Sequence, residues 1–225
     1  MSRTYGGIPE IGSYDVDGVD WPSFNKVGWR LDPERAGLLV HDMQRYYAAT
    51  VPVGMNLLEK IVANMQSVLA ACRAASVPVF YSVARPCATP EQRGKIFDFH
   101  GLGMKNIPEH YEIIDELAPM PEDQIITKKR YSAFFSTDLD QRLWNAGVEQ
   151  LVICGVYAQI GCQMSAMDAV MRDFEVFYVA DAMAAYSMTQ HLESAEYVSN
   201  LCASVQTTKA VVATLSGVYS DTAVR

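Results

Sequence analysis

The sequence predicts an α/β fold: one domain over residues 1–225, three-layer α/β/α, on a roughly six-stranded, mainly parallel sheet. Two observations predict it. Short apolar runs such as "LVICGVY" (151–157) have no polar alternation, as expected of parallel strands buried on both faces. Between such runs, apolar residues recur at helical spacing. Strands alternating with amphipathic helices place helices on both faces of one sheet, through right-handed crossovers.

The elements follow in order. Residues 1–35 are polar and punctuated by Gly and Pro, and read as an irregular arm over the domain surface. "AGLLVHDM" (36–43) is the first strand. In 55–75, Leu58, Ile61, Val62, Met65, Val68, Leu69 and Cys72 fall on one helical face. "VPVFYSVA" (77–84) and "QIITKK" (124–129) are strands. Between them, 85–123 is long and rich in Pro and Gly; an excursion of that length is usually functional, a lid or wall of a site. A short helix over 137–147 has a Thr or Asp cap and ends on glycine. The strand 149–157, the helix 160–174, the strand 175–183 and the helix 188–204 complete the alternation, and 204–215 adds a short strand and a helical turn.

Composition narrows the function. Half of the residues are hydrophobic, enough for a sizeable core, and the net charge of -8 argues against nucleic acid or an anionic membrane as partner. The N-terminus lacks the apolar segment of a secretory leader, and no apolar run is long enough to span a bilayer. The 5 cysteines are odd in number and lack paired spacing, so reduced thiols in a cytoplasm are expected. The 4 histidines show no metal-binding spacing, and no glycine-rich nucleotide motif is present. No metal or organic cofactor is expected.

Ligands of open parallel sheets bind beyond the carboxyl ends of the strands. Asp42, Arg85, Lys128 and the segment "VYAQIGC" (156–162) occupy those ends. Asp42 and Lys128 could tune each other's protonation for acid–base work, or form a structural ion pair. Lys129, Arg130, Tyr131 and Phe134 follow, either a wall of cations and aromatic rings suited to a flat cyclic anion or a loop anchored by packing. Arg93, inside the excursion, is a candidate carboxylate ligand or a solvated surface residue. Cys162, where a strand turns into a helix, is either a nucleophile of lowered pKa or a small packed side chain.

Three ordered blocks bring these residues together: "LLVHDMQRYY" (38–47), "TKKRYSAFFSTDL" (127–139) and "LVICGVYAQIGCQMSAMDA" (151–169), with "VADAMAAYS" (179–187) in support. They resemble the isochorismatase-like hydrolase superfamily over nearly the whole chain. The blocks "HDMQRY" and "RYSAFF", with "EQRG" (91–94), are most similar to the isochorismatases and the phenazine-pathway 2-amino-2-deoxyisochorismate hydrolases. In amidase-type members an Asp–Lys–Cys triad attacks an amide. Laying their pattern on this chain puts the nucleophile position at Gly161, one residue before Cys162, and their D-x-H metal motif is absent.

The resemblance therefore implies vinyl-ether hydrolysis, with Asp42 as a general acid whose pKa is raised by burial, Lys128 as its orienting partner, and Gly161 leaving room where a thiol would stand. It further implies that Tyr47, Arg85, Arg93, Tyr131, Phe134, Tyr157 and Gln159 bind a small anionic cyclic substrate, that Val156–Tyr157 is a cis peptide, and that the protein is a homodimer. Gln159 and Arg85 depart from the His and Gln usual in the family. No aryl carrier domain is expected after the last helix. A cysteine-dependent amidase and a non-catalytic binding protein are the alternatives.

Overall fold

Every residue of Ala36–His41 and of Gln150–Val156 is buried. Such strands have no solvent face and must lie in the middle of a covered sheet. The computed structural model, which describes residues 4–5, 8–9, 11–12, 14–51 and 56–217, places them there. In chain order the sheet contains β1 (Ala36–His41), β2 (Val79–Ala84), β3 (Gln124–Lys128), β4 (Gln150–Val156), β5 (Glu175–Ala184) and β6 (Ser204–Gln206). Their spatial order is β3-β2-β1-β4-β5-β6, and every pairing is parallel. The chain winds outward from β1 in one direction and from β4 in the other. The switch point, where the two halves diverge, lies between the carboxyl ends of β1 and β4.

Opposite winding directions with right-handed crossovers put helices on both faces. The helix α1 (Leu57–Ala74) packs with α5 (Thr208–Leu215) on β5. The α3 (Gln163–Val170) and α4 (Met188–Leu201) helices pack together, each also touching β5, and α2 (Leu139–Asn145) lies between β3 and β4 in the chain. The apolar stripe of α1 is buried as its spacing predicts from Ile61 to Leu69 and Cys72, while at its start Leu57 is buried and the expected Leu58 only half-buried. Among the described residues no helix is long and apolar enough to cross a membrane.

Among its described residues the arm is mostly irregular, with a pair of two-residue strands and a 3-10 turn at Trp21–Phe24. It is nevertheless fastened. Trp21 is buried and donates to the Val16 carbonyl at 3.1 Å. The Asn25 side chain pairs with both backbone groups of Val205, at 2.8 and 2.5 Å, covering the edge strand β6.

One element differs from its sequence expectation. The helix predicted over 160–174 begins as a π-helical turn, Ala158–Cys162, and ends at Val170. The Cys162 N–H reaches back to the Tyr157 carbonyl at 3.2 Å, the wider spacing of a π turn. Asp173 at positive φ, with Phe174 bonded to the Ala169 carbonyl, closes the other end. Apolar periodicity cannot distinguish these turns from ordinary helix.

Candidate functional site

Asp42 follows the last residue of β1 with φ 51, in the left-handed region. Its N–H still bonds to the Ser82 carbonyl of β2 at 3.1 Å. The turn delivers its carboxylate to the carboxyl edge of the sheet. Oδ1 accepts from Ser82 Oγ at 2.9 Å, and Oδ2 lies 2.7 Å from Lys128 Nζ, at the end of β3. Lys128 also donates to the Arg130 carbonyl at 2.9 Å. Asp42 is 6% and Lys128 4% exposed, so the pair is an ion pair in a low-dielectric setting, shielded from solvent screening.

The β4 side of the switch point is shaped by two glycines. Gly155 has φ 117, and a Cβ there would overlap the backbone carbonyl of His41, so only glycine lets β1 and β4 approach this closely. The Val156–Tyr157 peptide that follows is cis. The π turn then brings Gly161 against the His41 ring. A Cβ at 161 would overlap Cε1 and lie 2.8 Å from Nδ1 and 2.9 Å from Nε2. This corrects the expectation that Gly161 leaves open room: the imidazole fills that space. His41 is wholly buried, and burial pushes its pKa down to about 4, against the Asp42 charge that favours its protonated form. Nδ1 lies 3.1 Å from the Val156 carbonyl, which can only accept, so Nδ1 carries the proton. Nε2 then accepts from Ser165 Oγ at 3.1 Å.

Above Asp42, Lys128 and Gly161 opens a cavity. Its walls include Tyr47, Tyr131, Tyr157 and Tyr186, together with Arg93, Lys129 and Arg130. Among the described lining residues Asp42 is the one carboxylate, against four cations counting Lys128. The cavity is therefore locally basic in a chain of net charge -8. The phenols are neutral: desolvation raises Tyr47, with Asp42 adding to it, and raises Tyr157, whose hydroxyl shares a 2.7 Å hydrogen bond with Thr50. The excursion 85–123 contributes Arg93, Ile96 and His100 to this wall. Arg93 sits at the end of a short helical turn capped by Thr89, and its guanidinium passes over Gly103, where a Cβ would come within 3.3 Å. Among the described residues no group of three or more His, Cys, Asp and Glu is placed to hold a metal ion.

Three residues expected at the site are not brought to it. Arg85 is exposed beside a separate hollow with Gln44 and Pro86. It lies just past the end of β2, whose last residue, Ala84, lines both the cavity and the hollow. Phe134 is buried against Phe174 at 6.1 Å between ring centroids, with the Arg172 guanidinium 5.0 Å above its ring. Gln159 lies on the π turn, which presents Ile160 and Gly161 to the cavity instead. Cys162 also points away. It is fully buried, and desolvation raises its thiol well above the ordinary value, the reverse of an activated nucleophile.

Sequence reasoning missed His41, Ser82, Tyr186 and His100. A histidine inside the apolar run "LLVHDM" (38–43) is the available signal, because a buried polar ring must be satisfied by specific partners. Tyr186 obeys the same strand-end rule as Asp42, just beyond β5. Nothing local marks Ser82 or His100.

Comparison with known proteins agrees with this fold. The isochorismatase domain family matches residues 36–210. The phenazine biosynthesis protein PhzD1 of Pseudomonas aeruginosa is 44% identical over 206 residues, 92% of this chain and 99% of the relative. Enterobactin synthase component B of Escherichia coli is 39% identical over 193 residues, 85% of this chain and 67% of the relative. Among solved structures, a cysteine hydrolase from Pseudomonas syringae pv. phaseolicola has a TM-score of 0.75 at 27% identity, covering 86% of this chain and 98% of the other.

Proposed function

The chain belongs to the isochorismatase family and is a hydrolase of that type, and from this premise we propose that it cleaves the enolpyruvyl ether of a chorismate-derived ring. The substrate is isochorismate or 2-amino-2-deoxyisochorismate. The products are pyruvate and a dihydro-dihydroxybenzoate or a dihydro-hydroxyanthranilate. One observation carries the reading: a buried Asp42–Lys128 pair faces a basic, tyrosine-walled cavity in which position 161 offers no nucleophile. Small ring dianions suit such a pocket, and the aromatic walls exclude bulk water.

The reaction needs a proton on carbon. Protonated Asp42 donates to the vinyl CH2, turning it into a methyl group and leaving an oxocarbenium ion at the ether carbon. Water adds to that carbon, and its released proton returns to Asp42. The resulting hemiketal collapses: its hydroxyl proton moves to the ring oxygen, the C–O bond breaks, and pyruvate and the ring alcohol separate. No covalent bond to the protein forms. Lys128 orients the acid and attracts the enolpyruvyl carboxylate, and that second anion beside Asp42 favours its protonated form. We assign the ring carboxylate to Arg93 and Arg130, which line the cavity, Arg130 standing in this reading where Arg85 was expected.

The test is direct. Purified protein is offered each of the two substrates, with pyruvate release coupled to lactate dehydrogenase. Turnover of one or both is expected. Absence of pyruvate from both ends the substrate assignment.

A further inference from the structure

The space behind Gly161 is occupied by a ring that cannot move aside. A flexible side chain could swing away from an added Cβ; His41 is held by hydrogen bonds at both ring nitrogens. Its Nδ1 binds the last carbonyl of β4, and its Nε2 binds Ser165 on α3. Ser165 Oγ in turn accepts from the Ala133 N–H at 2.9 Å, tying the pair to the loop after β3. Rotating the imidazole breaks both of its hydrogen bonds inside a close-packed core, leaving buried polar groups without partners.

We propose that His41 and Gly161 form a paired steric determinant of reaction class: the buried imidazole occupies the space a side chain at position 161 requires, so the site houses no nucleophile while His41 is present. A thiol at 161 becomes possible only when position 41 is made smaller at the same time. The inference deepens the reading above, because it takes position 161 as the one at which cysteine-dependent relatives carry their nucleophile. The same fold does occur in a chain described as a cysteine hydrolase. Specificity here lies in what is excluded.

The experiment is a double-mutant cycle in a Cys162→Ala background, so that position 161 has no thiol beside it, and chymotryptic cleavage after Tyr157 separates it from Cys154 in the mapping. The variants are Gly161→Cys, His41→Val and the combination. Valine keeps the branched Cβ suited to a strand and lacks Nδ1, Cε1 and Nε2, the three atoms that meet the added Cβ. Gly161→Cys alone is expected to lower the melting temperature by about 5 °C or more. The combination is expected to melt above Gly161→Cys, although His41→Val removes two hydrogen bonds, because the two changes are coupled. Native alkylation with iodoacetamide, followed by peptide mapping, is expected to label residue 161 at least about tenfold faster in the combination. If Gly161→Cys does not accumulate folded, Gly161→Ala carries the same melting cycle. Melting shifts that simply add, a single variant that melts with the background protein, or equal labelling with His41 in place overturns the proposal. Neither readout involves substrate, so failure to release pyruvate would remove the functional reading without deciding this coupling.

Discussion

Lys128 Nζ stands 2.7 Å from Asp42 Oδ2 although a whole strand, β2, separates their parent strands. That middle strand supplies Ser82, which donates to the other carboxylate oxygen at 2.9 Å. Three adjacent strands thus converge on one carboxylate. The arrangement depends on the parallel sheet: all three strands end on the same edge, so residues distant in sequence meet beyond that edge. Removing either partner separates catalysis from stability in a measurable way.

Asp42→Asn keeps the shape but removes the transferable proton, and Lys128→Met leaves Asp42 buried without its counterion. The first is expected to lower kcat for pyruvate release by on the order of 10²–10⁴, the usual worth of a positioned acid. The second is expected to destabilise the fold by about 3–5 kcal/mol, the cost of breaking a buried pair on one side. The coupled assay and denaturant unfolding read the two effects. Unchanged turnover in Asp42→Asn would discard Asp42 as the acid.

Arg93 and Arg130 line the cavity while Arg85 does not, so the three arginines should behave differently. A charge-assisted hydrogen bond is worth about 1.5–3 kcal/mol, or roughly 10- to 150-fold in binding. Arg93→Ala and Arg130→Ala should each raise KM within that range, and Arg85→Ala should leave KM within about twofold. Steady-state kinetics on the three variants decide it. Equal effects from all three would mean that the carboxylate sites have been misplaced.

The contrast among these arginines indicates what the sequence could convey. Continuous apolar strands and helical spacing define a covered parallel sheet, and the strand-end rule then points to Asp42 and Lys128 without any knowledge of side-chain contacts. That rule does not say which way a side chain points. Arg85 follows Ala84 in sequence and both line the neighbouring hollow, yet Ala84 alone of the two also reaches the cavity. Phe134 looked like a cavity wall because it sits beside Tyr131, yet it faces Phe174. The His41–Gly161 contact joins residues 120 positions apart through a π turn that apolar periodicity does not report. Long-range packing of that kind is a property of the assembled fold.

Cys162→Ala should retain full activity. The thiol is buried, lies outside the cavity lining, and is held in its protonated form by desolvation. Removing one buried sulfur costs about 0.5–1.5 kcal/mol, comparable to deleting a buried methyl group. Pyruvate release by the variant, measured beside its melting curve, distinguishes a small packing defect from a lost nucleophile. Abolished turnover in a well-folded variant would revive the thiol mechanism.

Stability should fall on mild acidification, and the cause is specific. His41 and His191 are both fully buried, and burial lowers each from the ordinary 6.5 to about 4. Around His41 stand Asp42 and the carbonyls of Val156 and Tyr131, which favour the cation, and Lys128, which opposes it. Around His191 stand the Tyr14 hydroxyl at 3.2 Å, the Trp21 ring at 4.9 Å and the Ala180 carbonyl. Both rings are neutral in the folded protein, whereas the unfolded chain protonates them near 6.5. Their contribution is therefore fully present above about pH 6.5 and is lost progressively as pH falls toward 4. Within that window each histidine contributes a slope of up to about 1.4 kcal/mol per pH unit. Denaturant unfolding between about pH 7 and pH 5 measures the combined slope, ahead of most carboxylate titration. His191→Gln leaves the catalytic edge untouched and should roughly halve the slope. A flat profile in the parent protein, or an unchanged slope in His191→Gln, would show that these rings are not the groups taking up protons.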